Sequence, residues 1–360
     1  MPIYQSATYA HPALGISSGY DYSRLQNPTK HELEMVVNRL EHGDDALAFS
    51  TGMAATTLLF ELFKPGDTLL VSDDLYGGTI RFFTHLLAPR GIQCIAIDTT
   101  DIHTVEAALN DSITAIFLET PTNPLMRTSD IKSISELAHQ QQTLVIVDNT
   151  FLTPYYQNPL DLGADFVIHS ATKYLGGHND TLAGFIVSKH PSFSQRLRFL
   201  AKTTGSGLAP FDSWLILRGI KTLAIRMRQA SENAEAIFQY LKHHHAIKHI
   251  FYLGDPDHPG YSVHCAQARG HGAMLSFEVD QEARAAHLLS HLQLIAFAES
   301  LGGVETLITY PITQTHADVD PLILEKNGIN RRFLRLSVCI EHVDDLIDDL
   351  KQALESFDAL

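Results

Sequence analysis

The chain has 360 residues, enough for a sizeable core and for two domains. Its 45% hydrophobic and 19% charged residues are ordinary for a globular protein and exclude a disordered, fibrous or collagen-like chain. With 26 Lys and Arg against 41 Asp and Glu the formal charge is -15, so the surface as a whole repels nucleic acid and anionic membranes, and an anionic ligand needs a local basic pocket.

The N-terminus, MPIYQSATYAHP, lacks the basic-plus-apolar pattern of a secretory leader. No apolar run approaches the ~20 residues of a membrane span. Leu33, Val36, Val37 and Leu40 then repeat at helical spacing. A strand is expected over 46–49, followed by Ser50-Thr51-Gly52-Met53-Ala54-Ala55 opening a helix. Such a turn offers free backbone N–H groups to an anion, although alone it reads first as an ordinary capped helix start. Lys64-Pro65-Gly66-Asp67 turns the chain into a strand at 68–72, after which comes Asp73-Asp74-Leu75-Tyr76-Gly77-Gly78-Thr79. The paired glycines admit a close neighbour and Tyr76 offers a stacking ring; a plain surface turn has the same composition.

Further strands are expected over 92–97 and 114–118, the second followed by the rigid loop Glu119-Thr120-Pro121-Thr122-Asn123-Pro124. Ile131, Ile134, Leu137 and Ala138 have helical spacing. A strand over 143–147 ends at Asp148-Asn149-Thr150, where a carboxylate at the end of an apolar run needs a partner. A strand over 165–169 ends at Ser170-Ala171-Thr172-Lys173-Tyr174-Leu175-Gly176-Gly177-His178, and the seventh covers 182–187. The middle runs are continuously apolar, as in strands buried on both faces. Beyond, one long helix is expected over 211–240, then loops (GDPDHPGY, ARGHGA) and an amphipathic helix over 343–357. The fold class is therefore α/β: a mostly parallel seven-stranded sheet with helices on both faces, plus a smaller C-terminal α+β domain. The expected division is an arm at 1–28, a large domain at 29–221 and a C-terminal domain at 222–360.

Cys94, Cys265 and Cys339 are odd in number and far apart, which reads as free thiols of a cytoplasmic protein. Among 20 histidines, His243, His244 and His245 fall at a helix end and read as a solvated turn; no metal site is expected.

In a doubly wound sheet, ligands bind beyond the carboxyl ends of the strands. A phosphate cradle, a stacking Tyr, a lone Asp and a Lys all fall there. Those are the parts required by pyridoxal 5'-phosphate (PLP): an anchored phosphate, a lysine amine for its aldehyde and an acid for its pyridinium nitrogen. No GxGxxG follows any strand, which disfavours a nicotinamide dehydrogenase.

At these residues the sequence resembles the cystathionine γ-synthase family of fold-type I PLP enzymes, in the segments PIYQSATY, GYDYSRLQNPT, STGMAAT, DDLYGGT, ETPTNP, VDNTF, HSATKYLGGHND, AESLGGVETLITYP and RLSVCIEH. The resemblance implies a homotetramer built from active dimers. It implies Lys173 as the Schiff-base lysine, Asp148 on the pyridinium nitrogen and Tyr76 stacked on the ring and assisting proton transfer. Gly52 and Met53 amides, with Ser170 and Thr172 hydroxyls, would bind the phosphate, with Thr150 also beside the cofactor. Tyr22 and Arg24 would reach the phosphate of a neighbouring subunit, and Asn123 would lie near the ring's phenolic oxygen and the substrate. Arg335 would clamp the substrate α-carboxylate as a two-pronged fork, helped by the Ser300 backbone. Glu299 marks members working at a γ-carbon, and Arg81 would meet a distal carboxylate. Methionine γ-lyases usually carry Cys where this chain has Gly78. The chain opens at PIYQ, without the leading stretch that reaches a neighbouring subunit in the family, which implies weaker assembly.

The implied activity is γ-replacement on an O-acylhomoserine by cysteine or sulfide, giving cystathionine or homocysteine for methionine biosynthesis. Elimination by a cystathionine γ- or β-lyase is the alternative, and an inactive PLP-fold scaffold a remote one.

Overall fold

The computed structural model describes residues 1–317 and 319–359. Seven strands form one sheet: β1 (Asp45–Phe49), β2 (Thr68–Ser72), β3 (Gln93–Ile97), β4 (Ile113–Glu119), β5 (Leu144–Asp148), β6 (Phe166–Ser170) and β7 (Gly184–Ser188). Their order is β1-β7-β6-β5-β4-β2-β3. All seven lie within two residues of the expected runs. The pairs among β2 to β6 are parallel, whereas β7 runs antiparallel to both β1 and β6. No helix lies between β6 and β7, and a parallel return needs a crossover element.

Side chains along each central strand alternate between two cores. Leu70, Ile116, Leu118, Val145, Val147 and Val167 face one layer. There they meet Leu33 and Val37 of helix Pro28–Leu40, Ile131 and Ile134 of helix Ile131–Gln140, and Met227 of helix Leu223–Lys242. Leu69, Val71, Phe117, Ile146 and Ile168 face the other, against Ala55, Leu58 and Leu59 of helix Gly52–Leu59 and Leu197 of helix Pro191–Thr204. Covered on both sides, strands β4 to β7 are mainly apolar, with polar residues chiefly at their ends, which is why they are so visible in the sequence.

A second sheet follows: β8 (Ile247–Phe251), β9 (Met274–Val279), β10 (Ala296–Phe297), β11 (Leu307–Thr309) and β12 (Phe333–Ser337), in the order β10-β11-β12-β9-β8. Only β10 and β11 pair in parallel. The amphipathic helix Val343–Glu355 buries Leu346, Leu350, Ala353 and Leu354.

The helix expected over 211–240 is two helices, Pro210–Ile220 and Leu223–Lys242. The break comes from side chains that take the place of a continuing helix: Thr222 Oγ1 and Arg226 Nη2 both donate to the Gly219 carbonyl, at 3.1 and 2.9 Å. Gly219 itself sits against the turn that carries Lys173; a Cβ there would lie 2.1 Å from the Gly176 carbonyl oxygen.

The segment before Pro28 is largely exposed, with the Thr8–Tyr22 bridge folding it on itself and Asn27 Nδ2 donating to the Tyr4 carbonyl at 2.8 Å. Buried Asn27 starts the first helix, its Oδ1 accepting from the amides of Thr29 and Lys30. After Lys242 the chain turns at His243, and His245 pairs with Asp358. Among the described residues no helix is long and apolar enough to cross a membrane.

Candidate active site

A cleft of about 220 Å³ opens at the carboxyl ends of the large sheet. It is lined by Thr51, Gly52 and Met53 after β1, Tyr76 and Thr79 after β2, and Glu119 and Asn123 around the end of β4. Asp148 and Thr150 follow from β5, and Ser170, Thr172 and Lys173 from β6. The second sheet closes it with Glu299, Ser300 and Arg335.

Lys173 is largely buried. Burial, and then the charge of Arg335, hold its amine down to about 8, against the opposing pull of Glu299. Its Nζ donates to Ser300 Oγ at 2.9 Å. Ser300 has a left-handed backbone, φ +99°, a strained state for a non-glycine residue. Its carbonyl accepts from Arg335 Nη2 at 2.9 Å. One residue thus joins lysine to arginine.

Arg335 is 1% exposed. Nη1 donates to Asn123 Oδ1 at 2.9 Å and Nη2 also to Thr309 Oγ1 at 3.0 Å, while buried Nε has no partner. Burial lowers its pKa to about 10, so it remains a cation at neutral pH. None of its partners is an anion. A buried cation with a spare donor is a ready receptor for a carboxylate.

Asp148 ends β5, and its Oδ1 accepts from the Thr150 amide at 3.0 Å and hydroxyl at 2.6 Å. Burial raises its pKa above the usual carboxylate range, with Thr150 and then His169 opposing. Among the described residues no cation pairs with it, so a protonated ring nitrogen suits the place. Behind it, His169 Nε2 meets fully buried Glu41 at 2.5 Å.

Glycines shape the end of the cleft at the start of helix Gly52–Leu59. The first amides of helix Gly52–Leu59 lack intrahelical partners, and the Thr51 side chain caps only Ala54. A Cβ on Gly52 would lie 2.8 Å from Ser170 Cβ, so a side chain there would fill the cradle. Thr150 Oγ1 accepts from the Ser170 amide at 2.8 Å. The Thr172 hydroxyl lies on the cleft but also exchanges bonds with the Ala183 backbone, at 3.2 and 3.4 Å. A Cβ on Gly78 would strike the Tyr76 ring at 2.4 Å, and one on Gly77 the Thr315 carbonyl oxygen at 2.2 Å. Glycine therefore lets the ring lie back over its own turn.

Donors at a helix start, a buried acid, an amine of lowered pKa and a half-exposed ring together fit PLP. Three expected site residues stand elsewhere in their own chain. Tyr22 and Arg24 lie on the exposed N-terminal segment, where the guanidinium approaches the Tyr22 ring and donates to the Lys202 carbonyl. Arg81 is exposed on helix Gly77–Phe82 and does not line the cleft. Glu119 and Thr315 are among the lining residues that were not expected at the site. Glu119 ends an apolar strand as Asp148 does, a signal that was available; Thr315 comes from a loop remote in sequence, with no local signal.

A family model described as Cys/Met metabolism PLP-dependent enzyme matches residues 1–355. Cystathionine gamma-lyase of Bacillus subtilis is 45% identical, covering 99% of this chain and 94% of that protein. Cystathionine gamma-synthase/O-acetylhomoserine (thiol)-lyase of the same organism is 46% identical, covering 98% and 90%. The crystal structure of cystathionine gamma-lyase from Lactobacillus plantarum complexed with L-serine superposes with a TM-score of 0.97 at 45% identity, covering 99% of this chain and 93% of that one. The chain belongs to the Cys/Met metabolism family of PLP-dependent enzymes, with PLP as its cofactor and amino acids as its substrates.

Proposed function

We propose that this chain catalyses γ-replacement: cysteine or sulfide displaces the acyloxy group of an O-acylhomoserine, which leaves as the free carboxylate, giving cystathionine or homocysteine for methionine biosynthesis. The observation that carries this reading is the Lys173–Ser300–Arg335 link, which sets an amine and a buried cation without an anionic partner on one cleft, as an α-amino-acid substrate would need.

PLP, when bound, supplies the electron sink that stabilises negative charge at Cα. Lys173 would hold its aldehyde, Asp148 its ring nitrogen and Tyr76 its face. The amides of Gly52 and Met53 and the hydroxyls of Ser170 and Thr172 would hold its phosphate, with Thr150 fixing Asp148. Arg335 would grip the substrate carboxylate, steadied by Asn123 and Ser300. Lys173, once free, takes the Cα proton and then moves a Cβ proton, with the Tyr76 phenol assisting. Its pKa, lowered to about 8, raises the share of neutral amine able to accept a proton near neutral pH. Glu299, exposed at the cleft beside Lys173, stands where the γ-substituent would extend.

Tyr22 and Arg24, absent from their own cleft, would complete the phosphate site of a neighbouring subunit in a homotetramer. The three free cysteines agree with a cytoplasmic setting. The similarity to the Bacillus subtilis gamma-lyase supports a second reading, elimination from cystathionine.

Steady-state assays separate the two. Turnover of O-acetylhomoserine with cysteine, and slow 2-oxobutyrate or pyruvate release from cystathionine, is expected. Fast oxoacid release without any replacement would eliminate the first reading. A purified protein that stays colourless with added PLP would eliminate both.

A further inference from the structure

One buried acid in the cleft has no part in the reaction above. Glu119 is the last residue of β4, and β4 lies between β2 and β5. It stands opposite Asp148 in the strand register. Burial, and next the charge of Asp148, push its carboxyl well above the usual range. An acid is a costly choice in such a place, so what it bonds matters.

Its partners are two backbone amides from separate loops. Oε2 accepts from the Tyr76 amide at 2.9 Å and Oε1 from the Asn123 amide at 3.0 Å. Both residues put their side chains on the cleft. Tyr76 presents the ring that would cover the cofactor, and Asn123 Oδ1 accepts from Arg335 Nη1. A carboxyl group has a fixed span between its oxygens, so the two amides cannot separate without breaking a bond. If Glu119 merely satisfied two buried donors, its loss would lower stability and leave ligand binding by the folded protein unchanged.

We propose that Glu119 is a positioning residue that sets the width of the cofactor slot, tying the Tyr76 and Asn123 amides to the end of β4. Through Asn123 the same tie reaches the Arg335 guanidinium. The inference rests on the PLP reading above and adds a residue to it.

Glu119→Gln tests it, because the amide keeps one acceptor and turns an –NH2 group toward the second backbone N–H. In protein stripped of PLP and titrated with it, the variant is expected to bind about tenfold more weakly, the typical effect of one lost buried bond. In the reconstituted enzyme KM for O-acetylhomoserine should rise by more than kcat falls. Hydrogen exchange at the Tyr76 and Asn123 amides should quicken in the cofactor-free variant. A folded Glu119→Gln with PLP affinity, KM and exchange at both amides unchanged overturns the proposal, whatever happens to its melting temperature. Should Glu119→Gln fail to fold, Glu119→Asp decides by the same readouts, since the side chain one methylene shorter draws the carboxyl group back from both amides. If the unaltered protein takes up no PLP, the cofactor reading falls instead, and the exchange rates still decide whether the tie exists.

Discussion

Replacing Arg335 with Met removes a buried cation whose partners are all neutral. The substitution deletes the bonds to Asn123, Ser300 and Thr309. Each is worth about 1.5–3 kcal/mol when the donor is charged, so the loss is roughly 5–9 kcal/mol. Against this, an unpaired ion no longer has to be buried, which returns several kcal/mol. The two nearly cancel, and the cofactor-free variant should keep its stability to within about 2 kcal/mol. Substrate recognition has no such compensation. A carboxylate deprived of its buried cation loses about 3–5 kcal/mol, which is roughly 10²–10⁴ in kcat/KM, carried mainly by KM. Urea titration of the cofactor-free protein and steady-state kinetics of the holoenzyme measure the two halves. A large fall in stability with kcat/KM within about tenfold of the parent would refute the reasoning, because Arg335 would then be a structural clamp.

Lys173 reacts as the neutral amine, and its pKa is held down to about 8, so the rate of PLP capture by the stripped protein should climb as pH rises through 8 and then level off. A stopped-flow rate that is flat between about pH 6 and 9 contradicts this. Asp74, 2% exposed, is pushed by burial from its ordinary 3.8 up to about 6. A raised acid costs nothing below its unfolded value, costs progressively more up to its folded value, and carries the full cost above it. Asp74→Asn should therefore stabilise the protein by up to about 3 kcal/mol at pH 8, with the gain fading toward pH 4; urea titrations giving the same difference at both ends contradict the assignment. Gly52→Ala places a methyl group 2.8 Å from Ser170 Cβ, so PLP affinity should fall by at least about tenfold while the far-ultraviolet spectrum is unchanged; unaltered affinity would show that the cofactor does not need this space.

The large sheet was legible because burial on both faces leaves no room for polar alternation: β4 to β7 announce themselves as apolar runs, and their polar sequels mark the cleft. The antiparallel turn of β7 was not legible, since strand direction depends on what connects β6 to β7 and not on either run. The break at Lys221 and Thr222 was hidden for a similar reason. Neither residue breaks helices by itself; the break needs Arg226 to reach Gly219. In the site, residues that follow strands, such as Lys173 and Asp148, could be found by position. Arg335 lies inside β12 and was recognised only through resemblance, because its burial and its unpaired Nε exist only once the two sheets meet. Glu119 was overlooked although its sequence setting matches that of Asp148.

The division of labour between the two sheets sets a length scale. Lys173 hangs from β6 of the larger sheet, whereas Arg335 belongs to β12 of the smaller, and the strained backbone of Ser300 bridges the seam. Any molecule engaging both is measured across that seam like an object between caliper jaws. On the function proposed above, an α-amino acid would meet both jaws, whereas an amine with no acid group would leave Arg335 without an anion.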